Sequence, residues 1–244
     1  MCAPAPGQAH IMTPASFTSK NRLLAALPRE EQKRFFSSLR PVSLPQRHVI
    51  YQAGGPLEEV YFIEQGVASV LTSMADGSTI EVGMIGFEGV VGVTALLGDE
   101  VSVQQVIIQV PGSGLLMKAA ECKVAFNESA AVRAVVLRYL AAFLHLSSQT
   151  AACNRLHTIE QRCARWLLMA RDRLHSDVLP MTHEFLASML GVRRAGVTET
   201  AGELQRSGLI RYHHGELTII DREGLEALAC ECYRIDHDRF THLL

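Results

Sequence analysis

The chain has 244 residues, of which 48% are apolar, and a formal net charge of −2. This length and apolar content fit two modest domains with real hydrophobic cores, and the near-neutral charge does not by itself point to nucleic acid. The most apolar helical stretch, 130–146, is interrupted by Arg133 and Arg138, so we expect no transmembrane helix and no association with a membrane.

The first 20 residues are rich in Ala, Pro, Ser and Thr and have neither a basic start nor a continuous apolar segment. We expect residues 1–20 to form a flexible tail and not a signal peptide, and the protein to be cytoplasmic.

Six cysteines are scattered at positions 2, 122, 153, 163, 230 and 232, and in the cytoplasm they should be reduced. Because no second close pair accompanies Cys230 and Cys232, we interpret these two as ordinary thiols, with no metal site and no cofactor.

Residues 21–128 begin with a helical segment and then change to a strand pattern. Asn21 can cap the helix, and Pro28 followed by Glu30 predicts a break and a restart. Glycines then separate short apolar and β-branched runs at 48–51, 60–63, 68–72, 79–82 and 103–110. Asp76-Gly77 is typical of a hairpin, since such turns need positive φ angles. Many short strands of this kind predict an antiparallel barrel or sandwich.

The pattern becomes helical at about residue 129 and stays so to about residue 174. Within 129–156 apolar, small or amide side chains recur at alternating spacings of three and four, which places them on one side of a helix. They are Leu137, Leu140, Leu144, Ser147, Ala151 and Asn154. We interpret 129–156 as a dimerisation helix and this stripe as the interface of a homodimer. The alternative is that the stripe packs on the β domain of its own chain.

Charge is distributed unevenly along the sequence. No arginine occurs between residues 48 and 132, where Lys118 and Lys123 are the only basic residues beside ten Asp and Glu. From Arg133 onward, 14 arginines stand against 13 acidic residues. The basic residues therefore concentrate in the second half of the chain, although this bias is too mild to establish DNA binding alone.

Residues 157–244 contain the strongest local signal, a helix-turn-helix. Thr182 can cap a first helix, Ala187 is small where a second helix must cross, and Gly191 permits a tight turn. Val197 begins the buried stripe of the second helix, which leaves the opposite face of its N-terminal half exposed. Two strands around His214-Gly215 would then form a wing. The combination predicts a winged helix-turn-helix that binds DNA.

A glycine-punctuated β-roll, a long helix and then a winged helix-turn-helix form a layout that resembles the Crp/Fnr family of transcription regulators over 21–230. The segments that carry the resemblance are 54–66, the glycines at 77, 86 and 92, the motif at 186–191 with the helix after it, and 204–211. It implies an α+β fold with an N-terminal double-stranded β-helix, jelly-roll-like sensor domain (21–128), the dimerisation helix (129–156) and a C-terminal winged helix-turn-helix domain (157–244). It also implies a regulator that is not an enzyme, binds inverted repeats in double-stranded DNA as a homodimer, and leaves RNA polymerase open as a further partner.

Cyclic-AMP-binding members of the family have a phosphate cassette that begins with Gly-Glu and ends with Arg followed by Ser or Thr. Here Val93 follows Gly92, and the later positions hold Val103 and Gln104. A phosphate buried in a pocket needs a paired cation, and none is offered. We therefore expect the protein not to depend on cyclic AMP.

The sequence also offers few side chains that could bind the other cofactors with which members of the family sense their signals. An iron–sulfur cluster normally needs four ligands, and only Cys2 precedes Cys122. His48 is the only histidine of the β-roll that could bind haem, and we interpret it as a strand residue. The small-molecule effector, if one exists, is not identified by the sequence.

The resemblance assigns roles on the recognition helix. Arg194 matches the arginine with which Crp-like members read a base, and arginine can bond guanine O6 and N7 together. Ala195 and Glu199 replace the Glu and the later Arg of the family pattern, so the half-site should differ, and Glu199 could accept from a cytosine amino group. Thr182 is expected to contact DNA as well, and Arg193 and Thr198 to face its backbone. In the wing, Arg211, Tyr212 and His213 are expected to contact phosphates, with inward packing as the alternative for Tyr212. The alternative for Arg194 is a phosphate contact or a solvated surface position.

Two other functions stay open at this point. A signalling or interaction module with the same fold would lack specific DNA reading, and the near-neutral charge of 182–216 favours it. A cupin-like enzyme would need clustered histidine ligands, and no histidine occurs between residues 49 and 144.

Overall fold

The computed structural model describes residues 19–243, so the predicted tail lies outside the described residues except for Ser19 and Lys20. The first part of the described chain contains α1 (Arg22–Ala25), α2 (Arg29–Ser38), β1 (Arg40–Leu44), β2 (Val49–Tyr51), β3 (Glu59–Ser73), β4 (Thr79–Ile85), β5 (Val90–Val91), β6 (Gln105–Lys118), α3 (Ala119–Glu128) and the long α4 (Ala130–Leu156). The second part contains α5 (Ile159–Leu174), β7 (Val178–Pro180), α6 (His183–Leu190), α7 (Arg194–Arg206), β8 (Ile210–His213), β9 (Glu216–Ile219), α8 (Arg222–Leu228) and α9 (Cys232–Thr241).

The β-roll is an antiparallel sheet in the order β1-β6-β3-β4, with β2 paired to β6 and β5 paired to β3. The two strands expected at 60–63 and 68–72 are one strand, β3. The pairing of β3 with β6 is irregular around Gly66, and the positive φ of this glycine (+88°) lets the strand pass through that stretch without ending. A Cβ at Gly66 would lie 2.5 Å from the Val110 carbonyl oxygen. Strand β6 was expected to end at residue 110, but it continues to Lys118. Pro111 does not end it, because this proline lies where the pairing of β6 with β3 is irregular, a position at which a strand tolerates proline.

Helix α4 covers the β-roll with one of its faces. Ser129 caps its start by accepting from the Val132 N–H, and the Tyr139 hydroxyl donates to the Val90 carbonyl at 3.2 Å. Phe143 lies over Gly83, where a Cβ would come within 2.6 Å of the ring. The stretch predicted to be helical from about residue 129 to about residue 174 contains two helices, and α4 ends at Leu156, where the predicted long helix ends. The chain breaks at His157, and Thr158 caps the next helix, α5, through a reciprocal pair of bonds with Gln161.

Among the described residues α4 is the one helix long and apolar enough to cross a membrane, with a mean hydropathy of 1.4. It is a candidate by length and composition only, and core helices of globular proteins pass the same test. The side chains that α4 buries against its own chain are Val132, Val135, Val136, Tyr139, Ala142, Leu146 and Cys153. Helix α4 therefore packs one face inside its own chain, although only 33% of its most apolar window is buried.

The C-terminal part packs directly on the β-roll. The Trp166 indole on α5 donates to Glu81 on β4 at 2.9 Å. The hydroxyls of Thr79 and Ser188 lie 2.8 Å apart and bring α6 against the same strand. The strands β7, β9 and β8 form a separate three-stranded sheet. The helices α8 and α9 then return the chain to α4 and α5, where Arg165 pairs with Asp236 at 2.6 Å.

Candidate nucleic-acid interface

The helix-turn-helix predicted from the sequence is confirmed. The Thr182 hydroxyl accepts from the Phe185 N–H at 3.2 Å and so caps α6. Gly191 ends α6 in the left-handed region, at φ +62°, a conformation that glycine adopts without steric cost. Helix α7 packs against α6, where Ala187 is buried, and itself buries Val197, Ala201 and Leu204.

The N-terminal half of α7 presents its other face to solvent. The side chains exposed there are Arg193, Arg194, Ala195, Thr198 and Glu199. Arg194 lies 3.7 Å from the Glu184 carboxylate, and both side chains are at least 70% exposed. An ion pair this exposed is worth little, so it would compete only weakly with a base or a phosphate for the guanidinium.

Thr198 is already engaged within the protein. Its hydroxyl donates to the Arg194 carbonyl at 3.0 Å and lies 3.1 Å from His183 Nδ1. Burial, and then the charge of Arg194, hold the pKa of His183 below its usual value, so this imidazole stays neutral at pH 7. A DNA contact from Thr198 stays a prediction, and it would have to replace or share these bonds.

The wing is formed by β8 and β9, whose turn places His214 and Gly215 at positive φ angles. Arg211 and His213 project from β8 into solvent, and their predicted phosphate contacts stay untested. Tyr212 between them is half-buried and donates to the Met181 carbonyl at 2.8 Å. Tyr212 therefore packs inward.

The cassette region of the β-roll is apolar. Val93 begins a 3-10 helix, Val93–Leu97, and is buried. The Tyr51 side chain lies against Gly92, and its hydroxyl donates to the Glu59 carbonyl. Val103, which aligns with the family arginine, is 77% exposed. No cation therefore approaches the cassette from these positions.

The stripe predicted on α4 divides into two halves. Leu137 and Leu144 are 47% and 69% exposed, and Ala151 is exposed as well, whereas Leu140, Ser147 and Asn154 are half-buried. The exposed face of the helix continues through Ala134, Ala141 and Ser148, at alternating spacings of three and four. The dimer interface stays a prediction, and the exposed surface is centred slightly to one side of the predicted stripe.

The sequence interpretation missed a cluster at the end of α4. It treated Cys230 and Cys232 as an isolated pair, but Cys153 and His157 lie beside them in the fold. Cys153 and His157 are four residues apart, one helical turn, which is the spacing that puts two ligands on one face. That spacing was the signal available in the sequence.

Comparison with known proteins identifies both halves of the chain. Residues 41–127 match the cyclic nucleotide-binding domain, and residues 161–228 match the Crp-like helix-turn-helix domain. The transcriptional regulator SdrP of Thermus thermophilus is 39% identical over 61 residues, a stretch that spans 25% of this chain and 30% of that relative.

Solved structures show the same fold over most of the chain. FixK2 from Bradyrhizobium japonicum has a TM-score of 0.68 at 18% identity and covers 79% of this chain and 98% of its own. A Crp/Fnr-family transcriptional regulator from Thermus thermophilus has a TM-score of 0.66 at 24% identity, with 78% and 98% covered. With both domain families matched in this order and on this fold, the chain belongs to the Crp/Fnr family of transcriptional regulators.

Proposed function

We propose that the protein is a cytoplasmic, non-catalytic, sequence-specific regulator that binds an inverted repeat in double-stranded DNA as a homodimer. The observation that carries this proposal is the exposed N-terminal half of α7. Arg194 lies in its first turn with a side chain that is 70% exposed and only weakly paired. In a helix-turn-helix this part of the second helix enters the major groove. Glu199 would be a further groove contact, whereas Arg193 and Thr198 would face the DNA backbone.

A homodimer is supported by the free face of α4. Leu144 and Leu137 are large apolar side chains that water reaches in the single chain. Packing two copies of this face would remove the exposed parts of both side chains from water, and each would contribute less than a leucine buried from full exposure, which contributes about 1.5–3 kcal/mol. Two helix-turn-helix units related by that twofold axis would read half-sites about 34–36 Å apart.

Independence of cyclic AMP is supported by the apolar cassette. Val93 and Val103 replace the glutamate and arginine that hold the nucleotide in cyclic-AMP-binding members, and Val103 faces solvent. Without a paired cation, an anionic phosphate would lose its hydration at a cost of several kcal/mol. The sensor domain would therefore use another effector or none.

The competing function is a signalling module that has lost specific DNA reading. The near-neutral charge of 182–216 favours it, because contacts of basic side chains with phosphates supply a large share of the affinity for DNA. The two functions differ in base preference, which the module would not have.

The test is selection of bound DNA from a random pool, repeated with Arg194→Ala and with Arg206→Ala, an exposed arginine at the other end of α7. We expect an inverted repeat that is unchanged by added cyclic AMP. Arg194→Ala should relax one base position in each half-site, by about 1–3 kcal/mol, whereas Arg206→Ala should keep the base preferences. Failure to enrich any inverted repeat, both alone and in cell extract, would favour the signalling module.

A further inference from the structure

Three thiols and one imidazole converge where the long helix ends. Cys153 lies in the last turn of α4 and His157 caps its C-terminus. Cys232 begins α9, and Cys230 lies two residues earlier. The four donor atoms, three Sγ atoms and one ring nitrogen, all lie within 4.8 Å of one another.

The distances correspond to ligands around one ion. The Sγ atoms of Cys153 and Cys230 are 3.5 Å apart, and Cys232 Sγ lies 3.6 Å from His157 Nδ1. A tetrahedral zinc ion with Zn–S bonds of about 2.3 Å separates its sulfurs by about 3.8 Å. A disulfide would need an S–S distance of about 2.05 Å.

The burial and the hydrogen-bond partners of the three thiols and the imidazole are those common at metal sites. All three cysteines are buried, and they form a small cluster separate from the main core. His157 Nε2 lies 3.3 Å from the Glu231 carboxylate, which orients the ring so that Nδ1 faces the thiols. A carboxylate on the far nitrogen is the usual partner of a metal-binding histidine. The Gln149 amide donates to Cys232 Sγ at 3.1 Å.

The charge balance suits thiolates. Three thiolates and one divalent cation carry a net charge of −1, which a buried site must offset. Arg162 and Arg165 on α5 are both buried and close enough to Cys153 to interact with it electrostatically. Arg165 is already paired with Asp236, so the offsetting charge comes from Arg162, which has no carboxylate partner among the described residues. The Nε atoms of both arginines have no hydrogen-bond partner within the described part of the chain.

We propose that Cys153, His157, Cys230 and Cys232 bind one zinc ion in a tetrahedral Cys₃His site. Binding displaces the three thiol protons to solvent as the thiolates coordinate. Four protein ligands leave no open position, so the site is structural and not catalytic. The ion fastens α9 to the junction of α4 and α5. It thereby fixes the angle at which the DNA-binding domain leaves the dimerisation helix.

The test is the metal content of the full-length protein, purified without chelators and measured by plasma mass spectrometry. We expect one zinc per protomer in the wild type and loss of zinc in Cys230→Ser and Cys232→Ser. Cys122→Ser, the same change at a buried cysteine of α3 in the other domain, should retain zinc. Cobalt exchanged into the wild type should give the thiolate charge-transfer and intense visible bands of a tetrahedral site, a readout that does not depend on the folding of any variant.

Three results would each overturn the proposal. One is wild-type protein that carries no stoichiometric zinc and gives no tetrahedral cobalt spectrum after reconstitution. Another is a disulfide between Cys153 and Cys230 in protein alkylated at lysis, detected by peptide mass spectrometry. The third is the visible absorption of an iron–sulfur cluster in anaerobically purified protein. None of these readouts depends on whether the protein binds DNA.

Discussion

The guanidinium of Arg173 lies 2.7 Å from the carboxylate of Glu88, and both side chains are buried, at 8% and 5% exposure. Arg173 belongs to α5, whereas Glu88 lies in the turn between β4 and β5, so this ion pair connects the DNA-binding domain to the β-roll. Glu88 also accepts the Gly86 N–H at 3.2 Å, and the Phe240 ring covers the guanidinium at 5.5 Å. The pair is thus enclosed by groups from three segments.

Arg173→Met should lower the free energy of unfolding by about 3–5 kcal/mol, because it leaves the Glu88 carboxylate buried without a cation. Arg173→Met combined with Glu88→Leu should cost less than the single change, since no unpaired charge remains. Urea unfolding measures both. Lys33→Met removes a pair that is 68% and 83% exposed and should cost less than about 1 kcal/mol. An Arg173→Met protein as stable as the Lys33→Met control would show that the buried pair contributes nothing.

Glu81 makes the stability depend on pH. Burial raises the pKa of this carboxyl to about 7, although Ser69, Trp166 and the charges of Arg173 and Arg165 act in the opposite direction. The folded protein therefore binds a proton more tightly than the unfolded chain does. This contribution is complete below the ordinary pKa of glutamate and is lost as the pH rises through about 7.

We expect Glu81→Gln to remove this dependence, because the amide stays uncharged and its oxygen can still accept from Trp166. The free energy of unfolding of the wild type should fall relative to the variant by on the order of 2–3 kcal/mol between about pH 5 and pH 8. Urea titrations at a series of pH values measure this difference. Glu121→Gln, at an exposed position of α3, should follow the wild-type profile. Parallel profiles for the wild type and Glu81→Gln would contradict the prediction.

Arg211 on the wing should contact a phosphate and not a base. Arg211→Ala should weaken binding to every sequence by a similar factor and reduce the slope of log affinity against log salt by about 1. Fluorescence anisotropy at several salt concentrations, on the selected operator and on a scrambled duplex, gives both quantities. Arg29→Ala, an exposed change on α2, should leave the slope unaltered. A loss confined to one base position would instead place Arg211 in a groove.

Leu144→Glu should disrupt the dimer, because it puts a charge at the centre of the exposed face of α4. Sedimentation velocity should show a shift to monomer at concentrations where the wild type is dimeric. Val124→Glu changes an apolar side chain of α3 that is 54% exposed, and it should leave the association unchanged. A Leu144→Glu protein that stays dimeric would place the interface elsewhere on the surface.

Local patterns predicted much of the fold. Asn21 does cap the first helix, and Pro28 does separate α1 from α2. The turn at Gly191 and the buried position of Val197 followed from the chemistry of single residues, because a left-handed turn and a helix crossing each need a particular residue type. The exposed face of α7 followed from helical periodicity once those residues were placed inside.

What local patterns did not reveal depends on contacts between distant segments. Cys153 and Cys230 are 77 residues apart in the sequence, and they lie close together only because α9 packs back on α4. Thr198 looked available to DNA because its partner His183 lies on another helix. The half-buried state of Leu140 depends on the position of the β-roll beside α4, which heptad spacing does not contain.

The turn glycine of the helix-turn-helix also touches the β-roll. A Cβ at Gly191 would come within 2.6 Å of the Ile80 side chain on β4, so the DNA-binding motif and the sensor strand share one surface at that point. A chimaera with the β-roll of a relative would keep the helix-turn-helix motif intact. It would still fail to pack if that β-roll placed a residue larger than Ile80 opposite this turn. The two domains of this chain are therefore not interchangeable modules, and sequence drift at residue 80 is constrained by the DNA-binding half.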